Sequence, residues 1–388
     1  MGKVHSMLSP TLATIAAQLP RPTSRLGFGE PLLGDVRHER FPITPLGVHP
    51  FESADPESDR RVAAVDGGNL EVWHTPNLSL HLCRMGLVIF AGGQRQRHRR
   101  LPRRYEFLAL TRAVPASEGR LGQMDFVTQI FPLREGLESL LPQPEFLRFD
   151  SQDRELSADS SGGGRADISA LGGVARRFAE WRLLQQVARH ELDGGDLLLR
   201  DGTLAPFLSH ELAHMGAALE VAQERNIDLV AVAKTCQVLT TTGLPLVSAM
   251  THAAAEAGAR PPWVYAPLLR NRNPDHPAAV VGARLHPSSR YTFRVEVANR
   301  SEHRQALSHE RIVAVLSPLA AVSGDLAFPG YPYPLVVADR EGRVEERERG
   351  LVRAMARTHL VGHGQWQEFE PDLRAIDAHD RLDRQPLF

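Results

Sequence analysis

Short apolar runs alternate with longer segments of helical periodicity through most of the chain. The pattern predicts strands in RVAAVDGGNLEVWH (61–74, two strands around a turn), HLCRMGLVIFAGG (81–93), DLLLRDGTL (196–204), IDLVAVAKT (227–235) and three runs between 261 and 297. It predicts helices over 11–19, 168–192, 205–226 and 335–360. Strands that alternate with helices indicate an α/β fold, a mixed sheet flanked by helices with inserted or appended smaller elements.

The same pattern predicts one main domain with a shorter segment before it and another after it. Residues 1–60 form a helix and an irregular arm, residues 61–360 form the main domain with an insertion at about 94–165, and residues 361–388 form a tail. SQDRELSADSSGGGRA (151–166) is the clearest flexible connection. We do not expect a domain boundary there, because the strongest motifs lie on both sides of it.

Composition narrows the class of protein. Hydrophobic residues make up 42% and charged residues 23%, as in ordinary globular proteins, and the net charge is −1. The two cysteines, Cys83 and Cys236, share no ligand spacing, so a disulfide framework and a cysteine-based zinc module are excluded. No run is long enough to cross a membrane and the first twenty residues are a poor signal peptide. We expect a soluble, cytoplasmic protein.

Arginine is concentrated in one segment, QRQRHRRLPRR (94–104). Six arginines fall within these eleven residues: Arg95, Arg97, Arg99, Arg100, Arg103 and Arg104. The segment is either a solvated loop or an edge that faces nucleic-acid phosphates.

The segment HELAH (210–214) matches the H-E-x-x-H pattern of zinc metalloproteases. A catalytic zinc site also needs a third protein ligand, and no downstream histidine has the extended spacing. Leu208, Leu212, Met215 and Leu219 define the expected buried stripe, which places His210 and His214 on the solvated face. A zinc protease that uses His210, Glu211 and His214 is therefore the weaker hypothesis.

Two apolar segments end in Asp-Gly, at Asp66-Gly67 and at Asp201-Gly202. Asp-Gly between alternating runs is a strong hairpin signal and fits residues 61–74. After Asp201, however, a helix follows instead of a return strand. The end of a buried strand is where α/β folds place ligands and metals.

Other charged residues stand out because of their neighbours. Glu180 shares a helix face with apolar residues, so it is either paired with Arg176 or Arg177 or bound to a cation. Lys234 ends a buried strand and is the second of only two lysines in the chain. Asp339, in the first turn of a helix, can be an ordinary helix-start acid.

Together these segments resemble the NurA nucleases. The resemblance is carried, in order, by strand-DGG at 62–68, a helical Glu180, strand-DGTL at 197–204, AVAKT ending in Lys234-Thr235, and YPYPLVVAD at 331–339. It spans about residues 60–345. Each motif is weak alone, but in this order they are specific. The resemblance implies an RNase H-like fold, a homodimer, and a HerA-type hexameric ATPase as partner in processing DNA ends for double-strand break repair.

The resemblance also implies a site. Asp66, Glu180, Asp201 and Asp339 would hold Mn²⁺ or Mg²⁺, with Tyr331 and Lys234 orienting or neutralising the phosphate. Asp339 stands where a histidine is common in the family, and DGG replaces DGS. Phosphodiester hydrolysis needs an activated water and a neutralised leaving oxygen, which two divalent ions about 4 Å apart supply. Hard cations prefer carboxylate oxygens.

We therefore expect a metal-dependent deoxyribonuclease, an exonuclease with possible single-strand endonuclease activity. The absence of a nucleotide-binding P-loop from the sequence agrees with a motor on a separate protein. The six arginines would contact the DNA backbone. The alternatives are the zinc protease and a catalytically silent DNA-binding subunit.

Overall fold

The computed structural model describes residues 2–18, 27–33, 38–116, 123–156, 166–208, 210–299 and 307–373. The strands are β1 (Glu39–Arg40), β2 (Val48–Pro50), β3 (Val62–Thr75), β4 (Leu78–Ala91), β5 (Gln94–Arg95), β6 (Arg104–Pro115), β7 (Met124–Pro132), β8 (Arg148–Asp150), β9 (Leu197–Asp201), β10 (Asp228–Ala233), β11 (Trp263–Tyr265), β12 (Leu269–Arg270), β13 (Ala278–Arg284) and β14 (Phe293–Ala298). The helices are α1 (Gly2–Gln18), α2 (Ala170–His190), α3 (Glu211–Glu224), α4 (Leu246–Glu256), α5 (His309–Ala321), α6 (Tyr333–Gly342) and α7 (Glu346–Gly362).

Twelve strands of the described residues form one mixed sheet. Its order is β2-β11-β13-β14-β10-β9-β3-β4-β6-β7-β8, with β5 paired to β4, and β1 and β12 make a separate pair. β3, β4 and β6 form an antiparallel meander, while β9 is parallel to β3 and β10 is parallel to β9. The five central strands therefore have an RNase H-like arrangement, and the predicted α/β fold is confirmed.

Helices cover both faces of the sheet. α2 and α3 pack on one face with the inward residues of β3, β4 and β6, and α4 packs on β11 and β13. α5 and α6 pack on the opposite face, against residues of β3, β9, β10 and β14. Because both faces of the sheet are covered here, Val62–Val65 of β3, Leu197–Leu199 of β9 and Leu229–Ala233 of β10 are continuous apolar runs, which is why the sequence predicts them as strands.

The Asp66-Gly67 step is neither a turn nor a strand end. β3 runs through it unbroken, and Asp66 pairs with Gly86 of β4. The glycines serve a close approach instead: a Cβ on Gly68 would lie 2.5 Å from the carbonyl oxygen of Gly342 in α6. A Cβ on Gly342 would in turn lie 2.8 Å from the carbonyl oxygen of Asp66. The hairpin prediction for 61–74 was wrong, because these glycines allow α6 to pack closely on β3 and do not form a turn.

The single helix predicted over 335–360 is two helices. α6 ends at Gly342, Arg343 adopts an extended conformation, and α7 begins after Glu345. Glu345 and Glu348 form a reciprocal capping box, which satisfies the first backbone N–H groups of α7. The break lets α7 pack its apolar side on β3 and β4, near Val72 and Leu82.

The predicted insertion at about 94–165 belongs to the sheet, because β6, β7 and β8 continue it from β4. β2, from the predicted N-terminal arm, pairs with β11. Part of the predicted tail also packs on the sheet, through Trp366 and Phe369. Residues 157–165 of the predicted flexible connection and residues 374–388 of the tail lie outside the described residues.

Cys83 and Cys236 are free thiols. In the described part of the chain, no helix has the length and apolar character that a membrane crossing requires.

We predict that Gly86→Ala destabilises the protein. Its Cβ would lie 2.8 Å from the carbonyl oxygen of Ala338 and 2.8 Å from the amide nitrogen of Gly342, so α6 would have to move off the sheet. Overpacking of this kind costs about 1–3 kcal/mol, which urea unfolding would measure. Gly173→Ala in α2 is the control: its Cβ would enter open space, and it should stabilise by up to about 1 kcal/mol. Equal stability of the two variants would contradict the close approach.

Candidate active site

Three chemically active side chains share one face of the sheet because of strand alternation. Asp66, Asp201 and Lys234 each lie two positions beyond a residue that packs against the α5–α6 side. Side chains at i and i+2 of a strand point to the same face, so all three point toward α6. β3, β9 and β10 are hydrogen-bonded neighbours, so the three side chains also lie side by side.

The ammonium group of Lys234 is where the carboxylates meet. Its Nζ lies 2.9 Å from Asp201 Oδ2, 2.8 Å from Asp339 Oδ1 and 3.7 Å from Asp66 Oδ2. Asp339 comes from α6 and also pairs with Arg343, at 2.7 Å. Acids that are widely separated in sequence thus come together in one cluster, here called the aspartate cluster (Asp66, Asp201 and Asp339).

Tyr331 is fully buried beside this cluster. Its hydroxyl donates to Asp201 Oδ1 at 2.9 Å. Its ring stacks on Phe328 and is tilted against Phe293, which fixes the hydroxyl direction. Burial and the negative charge of Asp201 raise the pKa of Tyr331 well above its ordinary value, so the hydroxyl remains a donor at neutral pH.

The charges of the cluster shift the pKa values of its members. Burial, together with the negative charges of Glu180 and Asp201, raises the pKa of Asp66 to about 7. Burial opposes the charged form of Lys234, but attraction by Asp201 and Asp339 outweighs it and raises the pKa of Lys234. Burial likewise opposes ionisation of Asp339, yet hydrogen bonds from Lys234 and Arg343 lower the pKa of Asp339. The centre therefore has one fixed cation and one carboxyl that is half-protonated near neutrality.

Glu180 approaches from the other face of the sheet, on α2. It is buried, and its carboxylate pairs with Arg176 on the same helix and with Arg200, at 3.1 Å. Pairing with Arg176 was one of the two alternatives that the sequence left open. Glu180 nevertheless acts on the cluster, since its charge helps to raise the pKa of Asp66.

Arg200 was not anticipated as a site residue, although an arginine in the run LLLRD is a visible signal. It alternates with Asp201 and so points to the α2 side, where its guanidinium lies 4.5 Å over the Trp181 ring. Arg200 Nη1 donates to the carbonyl oxygen of Thr203 at 2.6 Å. One arginine therefore fixes both Glu180 and the turn that follows Asp201.

That turn is held from a second direction by Glu296, which is fully buried on β14. Glu296 Oε2 accepts from the backbone N–H of Leu204 at 2.7 Å and lies 2.7 Å from His276 Nε2. Burial alone would raise the pKa of Glu296, but Arg294 and His276 lower it to about 2. The only sequence signal for Glu296 is a carboxylate within the alternating segment RYTFRVEVA.

The HELAH segment carries two buried polar residues, while His210 and Leu212 are partly buried and Ala213 is exposed. Glu211 is fully buried and His214 nearly so. Glu211 Oε1 accepts from Arg177 Nε at 2.5 Å and from Trp181 Nε1 at 2.6 Å. Leu208, Met215 and Leu219 of the expected stripe are buried, and Leu212 is partly buried. The solvated position expected for His214 was wrong, because α2 packs alongside α3 and covers that side.

The two histidines of this segment are surrounded by aromatic rings. His214 lies 4.9 Å, between ring centroids, from both Phe146 and Phe178, and His210 lies 5.0 Å from Phe149. Burial, with a smaller effect of the Arg182 charge, lowers the pKa of His214 to about 4. With their glutamate bound to arginine and tryptophan, these residues have the environment of a core and not of an open zinc site.

The arginines of segment 94–104 form ion pairs in two separate regions of the structure. Ion pairs join Arg95 and Arg103 to Glu341, Arg99 to Asp193, and Arg104 to Glu106. Arg97 and Arg100 are exposed. Glu341 lies two residues after Asp339, so Arg95 and Arg103 pair with the helix that supplies Asp339. Arg99 and Asp193 are instead at the far end of α2.

The donor atoms of the cluster suit a hard cation. No group of three or more His, Cys, Asp or Glu side chains in the described residues is spaced as a ready-made metal site; the Lys234 ammonium lies at the point of convergence. The available donors are carboxylate oxygens, which Mg²⁺ and Mn²⁺ prefer. Burial, with the negative charges of Glu180 and Asp201, raises the pKa of Asp66, so a nearby cation would favour its charged form. On donor chemistry, the residues fit a divalent cation.

Comparisons with known proteins place the chain in a family. The NurA domain model matches residues 127–344, which is more than half of the 388 residues. A comparison with curated proteins returned no match. Among solved structures, the chain is similar to the catalytic domain of human Endonuclease V, with a TM-score of 0.33 and 14% identity over 79% of this chain and 93% of that one.

We predict that His214→Phe flattens the acid dependence of stability. The folded pKa of about 4 lies below the ordinary value of 6.5. The unfolded chain therefore takes up the proton first as pH falls, and stability is lost between about pH 6.5 and 4. The loss from one such group is up to about 3 kcal/mol. Phenylalanine takes up no proton and suits a site lined by Phe146 and Phe178.

Urea unfolding across this pH range would measure the effect. His81, whose pKa burial also lowers to about 4, remains in the variant, so part of the slope should persist. The exposed His363→Phe is the control and should leave the slope unchanged. An unaltered slope in His214→Phe would contradict the buried neutral histidine.

Proposed function

The chain belongs to the NurA family of nucleases, and we propose that it is a deoxyribonuclease that uses Mn²⁺ or Mg²⁺ at the aspartate cluster. The observation that supports this most directly is the convergence of Asp66, Asp201 and Asp339 from three separate elements on a single ammonium group. A set of carboxylates gathered at the expense of mutual repulsion is typical of sites that manage a cation.

The residues that would hold the metal are Asp66, Asp201 and Asp339, together with Glu180, which approaches from the α2 face. When bound, the divalent cations, two per site, would supply an activated water and neutralise charge on the leaving oxygen. The chain keeps these acids in place through Arg200 and Tyr331. Half-protonation of Asp66 near neutral pH means that its carboxylate form is reached without a large cost in free energy.

Lys234 and Tyr331 would act on the phosphate. Lys234 is one-third exposed, so its ammonium can face an incoming phosphodiester while it still contacts the carboxylates. As a compact cation with three donors, it is suited to neutralise a phosphate oxygen. Tyr331 keeps Asp201 oriented through its hydroxyl. The arginines beside α6, Arg95 and Arg103, would contact the DNA backbone without reading sequence.

We further propose the wider role that the family implies. The protein would trim DNA ends as an exonuclease, cut single strands as an endonuclease, and work as a homodimer with a HerA-type hexameric ATPase in double-strand break repair. These assignments rest on family membership. The support that the chain itself gives these assignments is the acidic centre and the cations that pair with its carboxylates.

Two alternatives are less well supported. A zinc protease would need His210 and His214 open to a cleft, whereas His214 is buried among rings and Glu211 is bound to Arg177 and Trp181. A silent DNA-binding subunit would not need a buried carboxyl with a raised pKa beside two further aspartates. Asp66 therefore favours the enzyme.

We predict that Asp66→Asn and Asp201→Asn each lower the rate of Mn²⁺-dependent cleavage of linear DNA by at least about 100-fold, because each removes a negative oxygen ligand. His210→Ala should cleave at close to the wild-type rate. A labelled duplex and a labelled single strand would both be tested. Loss of cleavage only in His210→Ala, or chelator-sensitive cleavage of peptides, would refute the proposal in favour of the protease.

We also predict that Mn²⁺ stabilises the folded protein. A ligand at 100 times its dissociation constant adds about 2.7 kcal/mol to the free energy of unfolding, which appears as a rise in the melting temperature. Asp201→Asn should lose most of that rise. Asp193→Asn, an exposed acid paired with Arg99 away from the cluster, should keep it. Equal Mn²⁺-induced shifts in both variants would show that the metal binds elsewhere.

A further inference from the structure

Phe207 is an aromatic side chain held on the surface, six residues after Asp201. Two-thirds of it, 67%, is exposed. Its backbone is nevertheless fixed, because its N–H donates to Glu211 Oε2 at 2.9 Å and Glu211 is fully buried. Exposure of a large ring contributes nothing to the core, yet the chain anchors it with a buried carboxylate.

A cation lies against the same ring. The guanidinium carbon of Arg177 is 4.5 Å from the Phe207 ring centroid, which is a cation–π contact. Arg177 is held by Glu211, at 2.5 Å, and by the carbonyl oxygen of Ala205, at 3.1 Å. Ring and cation are thus fixed through one buried carboxylate, so the pair is a preorganised surface.

This pair is connected to the candidate active site through α2 and through the segment that follows Asp201. Arg177 precedes Glu180 by three residues on α2, about 5 Å along the helix axis. Phe207 follows Asp201 by six residues. The segment between them is fixed where Arg200 binds the carbonyl oxygen of Thr203 and Glu296 binds the N–H of Leu204. The ring therefore has a defined position relative to Asp201.

An exposed ring beside a cation matches the chemistry of an unpaired nucleobase. Bases stack on aromatic side chains without regard to sequence, and arginine adds cation–π attraction. In a duplex both faces of an internal base are already stacked, so only an unpaired base can use the ring. The neighbouring phosphodiester of the same strand would then extend toward the aspartate cluster.

We propose that Phe207 and Arg177 form a stacking platform for an unpaired base of the DNA strand that enters the site. This inference rests on the proposed function, because it takes DNA as the substrate, and adds that the strand is single at this position. It assigns Phe207 a part in substrate selection and not in the chemical step.

The first experiment measures binding without cleavage. Dissociation constants of fluorescent oligo-dT and of a blunt duplex would be measured by anisotropy in EDTA, at one fixed salt concentration. For Phe207→Ala we expect a loss of affinity for oligo-dT of about tenfold or more and less than about twofold for the duplex. Phe207→Trp should keep oligo-dT affinity, whereas Phe207→Leu, which is apolar but has no π face, should behave like the alanine variant.

The second experiment locates the stacked base. An abasic site moved stepwise along the oligo-dT strand should weaken wild-type binding at one position in particular. In Phe207→Ala the same abasic site should cause no further loss, because the partner of that base is already gone. Melting temperatures of all variants should match the wild type, since the ring is exposed.

Several outcomes would overturn the platform: equal losses for single strand and duplex, full affinity in Phe207→Leu, or a changed oligomeric state in Phe207→Ala, which would make the ring an interface between copies. The two proposals fail separately. Without Mn²⁺-dependent cleavage but with ring-dependent binding of oligo-dT, the nuclease assignment is wrong and the platform stands. With cleavage intact and ring-independent binding, the reverse holds.

Discussion

Electrostatic repulsion among three neighbouring carboxylates is the constraint on which the rest of the site depends. β3 and β9 are adjacent and parallel, so alternation alone sets Asp66 and Asp201 on one face. Asp339 joins them only because glycines let α6 lie almost on the backbone of β3. Lys234 pairs with all three, while burial and the charges of Glu180 and Asp201 raise the pKa of Asp66. The glycines that resemble turn residues in the sequence therefore bring the charge of Asp339 into the site.

Much of the fold follows from the sequence where local pattern and tertiary environment agree. β4, β9, β10 and α2 were recognisable because apolar runs or helical periods coincide with buried strands and a buried helix. Asp201 ends its strand as expected, and Gly202 has the positive φ of +100° that favours glycine. The role of Gly67 and Gly68 could not be predicted in this way. They allow the close approach of α6, a helix distant in sequence, and nothing in the neighbouring residues indicates that contact.

The HELAH segment shows that sequence periodicity also fails to predict polar residues buried by a neighbouring helix. Periodicity places its two histidines on the solvated face, yet α2 covers His214 with Phe178 and Glu211 with Arg177 and Trp181. A buried polar group is tolerable when it is fully hydrogen-bonded. Glu211 meets that condition with three donors. The burial of Glu211 could be predicted only by knowing that α2 packs against α3.

The distribution of cations bears on the proposed binding of DNA. With a net charge of −1 the protein has no global field that attracts phosphate. Locally, however, Lys234, Arg176, Arg200 and Arg343 pair with the four acids of the site. A centre compensated in this way does not repel an anionic strand as uncompensated carboxylates would. Affinity for the proposed DNA substrate would then come from contacts at close range, which is where an exposed ring beside an arginine has most effect.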